Sequence, residues 1–275
     1  MAGPTLDPAT PPTLPSLTHA DIAAIVSDEG AIVARDAQDD TTTFLWVTHL
    51  ELESALVTRN WHVGAAWDLS SATDATGDRT LLGGNPEVWA RGTGYFEEAG
   101  ISAGGGLGVI IPVPRATDDG AEGALQVVRA VRPWDAGYFS SRILTGRPFF
   151  DVRLVEEPVV LQLRQGFDLS YGFDTQSGDI IERVGVYAGW EIHEPVTVGL
   201  ELWQTYSMTA DVTDAARAAF TLSPSIRAKL GPIEPALSLL FPLSTPLEGV
   251  ATSFFGVRLH VRLALGKTAD VTYEP

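Results

Sequence analysis

The sequence has no cysteine among its 275 residues, which excludes disulfide bonds and thiolate metal sites. Lysine occurs only at Lys229 and Lys267, so arginine carries nearly all of the positive charge. The formal net charge of -17 argues against nucleic acid as a partner, because phosphate binding requires a basic surface. No run of about 18 apolar residues is present, which excludes a transmembrane helix.

A leader of simple composition precedes the patterned part of the chain. It lacks the basic start and apolar core of a signal peptide, so an exported protein would be a mature chain with an added Met1. Prolines among small residues predict an extended segment over residues 1–16. Thr18-His19-Ala20-Asp21 then resembles a helix start, and we predict that the leader and a short helix occupy residues 1–28.

Apolar and polar side chains alternate along most of residues 29–265. The alternation is clearest near the end of the chain, where one parity is apolar (Phe255, Val257, Leu259, Val261, Leu263 and Leu265) and the other basic (Arg258, His260 and Arg262). Because successive side chains of a strand point to opposite faces, this segment predicts a strand with one apolar and one basic face. Segments of this kind recur along the chain, residues 31–36 form the weakest candidate, and residues 266–275 form a polar tail.

The connections between these segments alternate in length. Short turns near residues 58, 98, 157, 194 and 232 alternate with longer loops near 77, 130, 176, 213 and 247. Aromatic residues on the apolar parity collect near the strand ends, which predicts two interfacial girdles. We therefore predict an all-β fold, a closed antiparallel transmembrane β-barrel of about twelve strands, with ten or fourteen left open by the N-terminal seam.

The pattern resembles that of bacterial outer-membrane β-barrels of the porin or small-solute transporter type, over residues 29–265. Gly256, Leu259 and Val261 match the spacing of the C-terminal assembly signal of such proteins. The chain departs from that signal in having Phe254 at its polar first position and in continuing beyond Leu265. The resemblance implies a bacterial outer-membrane location, with membrane lipid and outer-leaflet glycolipid as surroundings.

Residues 114–146 interrupt the strands with an insert of their own. Asp119 and Glu122 have the spacing of a helix cap, and Leu125, Val128 and Val131 recur at helical spacing before Pro133. We expect a helix in an external loop that narrows or covers the mouth of the barrel, anchored by Trp134. Gly104, Gly106 and Gly108 share the inward parity of one strand and leave either a groove for the insert, the N-terminal segment or a solute, or a place where the strand bends.

The inward parity of the strands supplies the candidate binding residues. They are charged or basic side chains from early and late strands: Arg227, Lys229, Arg258, His260, Arg262, Arg164, Arg183, Arg91, Glu51 and Glu53. Five of them, Arg227, Lys229, Arg258, His260 and Arg262, form what we call the basic wall of the late strands. Charged walls select ions in pores, and the alternative is that these charges pair across the lumen and close it.

These features predict a monomeric outer-membrane channel or transporter for small polar or anionic solutes. A sealed barrel that acts as a structural anchor or surface-binding scaffold is the alternative. No nucleophile motif stands out, so we expect no enzyme and no cofactor. His49 and His62 near Glu51 raise the question of a metal site, but hydrogen-bonded lining explains two such histidines better, so we expect no metal.

Overall fold

The computed structural model describes residues 22–34, 42–56, 60–73, 79–96, 99–113, 119–193, 195–209, 217–244 and 253–265. Along these ranges the chain is almost entirely β-strand. The strands are β1 (Ile22–Ala34), β2 (Thr42–Ala55), β3 (Trp61–Thr73), β4 (Arg79–Gly83), β5 (Glu87–Phe96), β6 (Ile101–Ile110), β7 (Ile143–Glu156), β8 (Val159–Gly172), β9 (Ser177–His193), β10 (Val196–Ser207), β11 (Ala218–Ala228), β12 (Ile233–Pro242) and β13 (Ser253–Leu265).

Antiparallel pairing closes these strands into a barrel. Each strand pairs with its neighbours in the chain, and β1 closes the ring by pairing with both β2 and β13. Strand β3 pairs with β5 near its start and with the short β4 near its end, so β4 and β5 together fill one position of the wall. Within the described ranges the ring therefore has twelve positions, as the sequence predicted.

The N-terminal strand corrects one prediction. Residues 22–28, where a short helix was expected, belong to β1, which begins at Ile22 and ends at Ala34. The predicted helix is wrong because β1 is paired on both edges along its whole length, from the Ile22–Leu265 pair to the Ala34–Ser253 pair. Ladder hydrogen bonds outweigh a weak local helix signal. The predicted leader over residues 1–16 and the tail over 266–275 lie outside the described residues.

The two faces of the wall differ as the alternation predicted. Apolar and aromatic side chains point outward and are exposed, among them Phe44, Trp61, Phe96, Trp190 and Leu259. Charged side chains point inward and are buried, so the polar parity faces the lumen. The basic side of β13 lines this lumen through Arg258, His260 and Arg262.

The carboxylate of Asp28 departs from this division. Asp28 shares the outward parity of Val26 and Ile32 and lies at the middle of β1. Thr48 Oγ1 donates a hydrogen bond of 2.6 Å to Asp28 Oδ1, and Trp46 Nε1 donates one of 3.2 Å to Thr48 Oγ1. The outer face thus holds a short polar chain at mid-height among apolar neighbours.

The two ends of the barrel differ in their connections. Residues 157–158 and 229–232 make short turns at one end, which we call the short-turn end. The described part of the insert, β4 and the end of β12 lie at the other, the long-loop end. The loop expected over residues 174–179 is shorter than predicted, because β9 already begins at Ser177.

The insert folds into the barrel rather than over its mouth. Its helix α1 (Asp119–Val131) and the following 3-10 helix (Pro133–Phe139) contact the inner surfaces of β1–β4 and β10. The predicted helical insert is confirmed, and of the two positions expected for it, narrowing or covering the mouth, it takes the first. Neither of these two helices, which are those of the described ranges, has the length and apolar character needed to span a membrane.

An apolar lining at the long-loop end explains this position. Ala31, Val33, Leu45 and Val47 of β1 and β2 point inward, where charged residues would otherwise be expected, and they join one cluster with the apolar side chains of α1 (Ala124, Leu125, Val127, Val128, Ala130 and Val131). Burying this patch against α1 removes apolar surface from water on both partners. The inward fold of the insert follows from that burial.

Candidate functional site in the lumen

The candidate binding residues other than Lys229 occupy inward-facing positions of the strands. Arg91, Arg183, Arg227, Arg258, His260, Arg262 and Glu53 are each at most 5 % exposed. Arg164 and Glu51 are somewhat more accessible, with side chains 16 % exposed. Lys229 follows the end of β11 and is partly exposed. The lumen therefore collects these residues on one inner surface, although few of them are open to water.

The basic wall is paired with carboxylates from neighbouring strands. Arg258 Nε donates to Glu29 of β1 at 2.9 Å, and its Nη2 contacts the same carboxylate oxygen. Glu234 of β12 is shared: Arg262 Nη1 donates to it at 3.1 Å, and Arg227 Nη2 lies 3.5 Å away. The wall is thus less basic than its sequence suggested.

Further ion pairs cross between strands elsewhere in the lumen. Arg91 Nη2 donates to Glu53 at 2.5 Å. Arg183 Nε lies 2.7 Å from Asp168, and Arg164 Nε lies 3.4 Å from Asp151. These pairs match the alternative in which lumen charges neutralise each other.

Histidines line the lumen within hydrogen-bond networks. His49 Nδ1 lies 2.5 Å from Asp68 and its Nε2 lies 3.3 Å from Glu51, whereas His62 Nδ1 lies 3.6 Å from Glu53. Among the described residues, no group of three or more His, Asp or Glu side chains is arranged to hold a metal ion. His49 thus faces two carboxylates and His62 faces one.

A buried asparagine fastens the insert to the wall. Asn85, between β4 and β5, donates from its side chain to the carbonyl oxygens of Gly137 at 3.1 Å and Ser140 at 2.7 Å. Its backbone N–H donates to Tyr138 O at 2.6 Å. One wall residue therefore satisfies three carbonyl groups at the end of the 3-10 helix, which holds this part of the insert in a fixed position.

Charged groups hold the start of the 3-10 helix. Arg132 Nη1 donates to Asp68 of β3 at 3.2 Å, and its Nη2 donates to Asp135 at 2.5 Å. Tyr138 donates from its hydroxyl to Glu87 of β5. Burial alone would raise the pKa of Asp135, but Arg132 and Arg147 outweigh it and hold that pKa well below its ordinary value.

Trp134 reaches the opposite side of the lumen, which confirms its predicted role as an anchor. Its indole ring stacks on Trp203 of β10, with ring centroids 5.8 Å apart and an interplanar angle of 21°. The guanidinium carbon of Arg258 lies 5.8 Å from the ring centroid of Trp134. The backbone carbonyl of Trp134 accepts hydrogen bonds from Arg147 Nη2 at 2.9 Å and Arg183 Nη1 at 3.5 Å. We call Arg147, Arg183, Trp203 and Arg258 the Trp134 site.

The glycine groove on β6 is filled by neighbouring side chains. A Cβ at Gly106 would lie 2.7 Å from Phe149 Cζ, and a Cβ at Gly108 would lie 1.9 Å from Glu87 Oε1. The glycines therefore make room for large inward residues of the adjacent strands. This explanation differs from both the solute groove and the bending that the sequence left open.

Sequence reasoning missed several residues of this site. Glu29, Glu234 and Arg147 were not among the candidate binding residues. The sequence did hold a signal for Arg147, because it has the same parity as Asp151 and Arg153. Strand β7 begins at Ile143 and therefore includes all three residues. Glu234 likewise shares the parity of Ser238 on β12, and both are buried.

The fold resembles that of solved outer-membrane proteins. The COG4313 outer membrane channel from Pseudomonas putida F1 matches with a TM-score of 0.67 at 12% identity, covering 94% of this chain and 100% of that one. An anion-selective porin from Comamonas acidovorans matches with a TM-score of 0.41 at 10% identity, covering 89% of this chain and 98% of that one. The predicted resemblance to outer-membrane β-barrels is confirmed at the level of the fold, with the subfamily unresolved. No protein-family model and no curated protein matches the sequence.

Proposed function

We propose that this chain is a bacterial outer-membrane channel that passes small polar or anionic solutes, and that withdrawal of the insert opens it. The observation that carries the proposal is a lumen lined by charged side chains and occupied by the helical insert. A barrel built only as a scaffold needs no such removable element. The fold shared with a solved outer-membrane channel supports the same function.

The outer surface supports a membrane location. Exposed apolar side chains surround the wall, with aromatic residues such as Trp61 and Trp190 near the short-turn end and Phe44 near the long-loop end. Such bands match the lipid core and the two interfaces of an outer membrane. Lipid and outer-leaflet glycolipid are the partners that we propose for this surface, and we propose that the barrel acts as a monomer without a catalytic reaction.

Charge selectivity is the finer part of the proposal. The basic wall keeps more arginines than carboxylates where Arg227 and Arg262 share Glu234. When the insert withdraws, Arg147 loses its contacts with the Trp134 carbonyl and Asp135 but keeps Glu87 and Asp168 as partners. The expected preference for anions over cations of similar size therefore rests on the arginine excess at Glu234.

Conductance in planar bilayers tests this function. We expect brief openings for the full chain and frequent openings when residues 119–139 are replaced by a short Gly-Ser linker, because the lumen is then cleared. Replacing Arg258 and Arg262 together with glutamine should move the reversal potential in a salt gradient toward cation selectivity. The absence of openings in both the full chain and the linker variant would refute the channel function.

The sealed barrel remains the second candidate because the lumen charges are paired and nearly all buried. In that case the protein would serve as an anchor or surface-binding scaffold. The sealed barrel predicts no conductance for the full chain or for the linker variant. It also predicts a binding function that depends on the exposed loops.

A further inference from the structure

The groups around Trp134 belong to barrel strands that are separate from the insert. Arg147 lies on β7, Arg183 on β9, Trp203 on β10 and Arg258 on β13. Together they offer guanidinium donors beside an aromatic platform, and each is at most 5 % exposed. The insert only completes this arrangement by supplying a ring and oxygen acceptors.

The groups that the insert supplies define the kind of molecule that fits. The indole of Trp134 contacts Trp203, and the adjacent carbonyl oxygen accepts from Arg147 and Arg183. The next residue adds a carboxylate, with Asp135 Oδ1 3.5 Å from Arg147 Nη2. An aromatic ring and an oxygen acceptor a few bonds apart are the features that the wall binds.

A carboxylate is a better partner for these arginines than a peptide carbonyl. Hydrogen bonds between a guanidinium and a carboxylate are charge-assisted, and the planar guanidinium fits both carboxylate oxygens. Stacking on Trp203 and contact with the Arg258 guanidinium favour an aromatic ring over a saturated one. A small aryl carboxylate combines both features in one molecule.

Resting on the channel function proposed above, we propose that the Trp134 site binds small aromatic carboxylates in place of Trp134 and Asp135. Solute and insert then compete for the same wall groups. A ligand that binds only the withdrawn state shifts the population toward that state, so the solute releases the insert that blocks its own path.

Binding and release can be measured on the same protein. The chain has no cysteine, so Val128→Cys introduces a single thiol on the buried face of α1. Phenylacetate is the probe, cyclohexylacetate removes its aromatic ring, and phenylacetamide removes its charge. We expect phenylacetate to bind about tenfold more tightly than either control by calorimetry in detergent, and to accelerate maleimide labelling of the thiol. Equal binding of all three compounds, or of phenylacetate and phenylacetamide, would overturn the proposal.

Two substitutions place the binding at the Trp134 site. Arg183→Gln should weaken the binding of phenylacetate about tenfold. Asp168 still has a partner in this variant, because Arg147 donates to it at 3.1 Å. Trp203→Leu should weaken the binding of phenylacetate but leave the binding of cyclohexylacetate unchanged. This variant still tests the site if Arg183→Gln fails to fold. Arg142→Gln is the matched control, because Arg142 is exposed and pairs with Asp174 outside the lumen. Binding that survives Arg183→Gln and Trp203→Leu refutes the site.

The result is separable from the channel function. A protein that conducts chloride but shows no saturable phenylacetate binding refutes the aromatic site and leaves the channel intact. A protein that binds phenylacetate through Arg183 and Trp203 but never conducts retains the site and loses the channel.

Discussion

Trp134 gives the most direct test of whether the insert blocks the lumen. In the folded insert its indole is buried against Trp203, whereas withdrawal would expose it to water. Replacing a buried tryptophan with alanine costs about 3–5 kcal/mol. Because that cost falls only on the inserted state, Trp134→Ala should increase the withdrawn population by a factor of about 150 to 5,000. Trp134→Phe keeps a stacked ring and should cost less than about 1.5 kcal/mol, an increase of at most about tenfold.

Thiol labelling measures this population directly. In the Val128→Cys background the thiol is buried while α1 packs on the wall, so the labelling rate reports withdrawal when closing is faster than labelling. We expect Trp134→Ala to label about 150 to 5,000 times faster than the parent and Trp134→Phe at most about tenfold faster, and we expect bilayer conductance to follow the same order. Equal labelling of the alanine and phenylalanine variants would refute the role of the stacked ring. Fast labelling without conductance would show that the insert is not what closes the lumen.

Three further perturbations test the wall itself. Asp28→Leu removes a carboxylate from the outer face and should raise the free energy of unfolding in lipid by about 1 kcal/mol, measured by urea titration; lower stability would contradict a lipid-facing position. Glu234→Gln leaves two arginines without their shared carboxylate and should lower the free energy of unfolding by about 3 kcal/mol. It should also shift the reversal potential toward anion selectivity. An unchanged reversal potential would show that these arginines do not line the ion path. Gly64→Ala places a Cβ 2.2 Å from the Trp89 ring and should cost about 1–3 kcal/mol, whereas Gly94→Ala, with its nearest atom at 4.0 Å, should be neutral; equal melting temperatures would refute this packing.

Alternation in the sequence predicted the wall and its two faces because each strand repeats the same side-chain period. The parity of Leu259 and Arg258 fixes which residue faces outward and which faces the lumen, and this holds whatever the neighbouring strand contains. The candidate residues Arg91, Arg183 and Arg262 could be placed in the lumen for that reason. Local helical spacing also predicted α1, whose bounds agree with the cap and with Pro133.

The partners of these residues could not be predicted in the same way. Glu234 meets both Arg227 and Arg262, and Glu29 meets Arg258, only after strand register is set and β1 closes against β13. The first strand failed as a local prediction because its stability comes from ladders on both edges rather than from its own residues. Register is a property of pairs of strands, so one strand's sequence does not contain it.

The sequence by itself determined that this chain forms strands with an apolar and a charged face, and that its insert contains a helix. Only the tertiary structure decided that the insert lies inside the barrel, with Trp134 against Trp203 and its carbonyl on Arg147. The physical reason is that periodicity is carried by neighbouring residues, whereas these contacts join the insert to strands of the wall that are set only by the fold. The barrel encloses a charged lumen because its strands alternate apolar and charged side chains. The insert occupies that lumen because apolar inner residues such as Leu45 are buried against it.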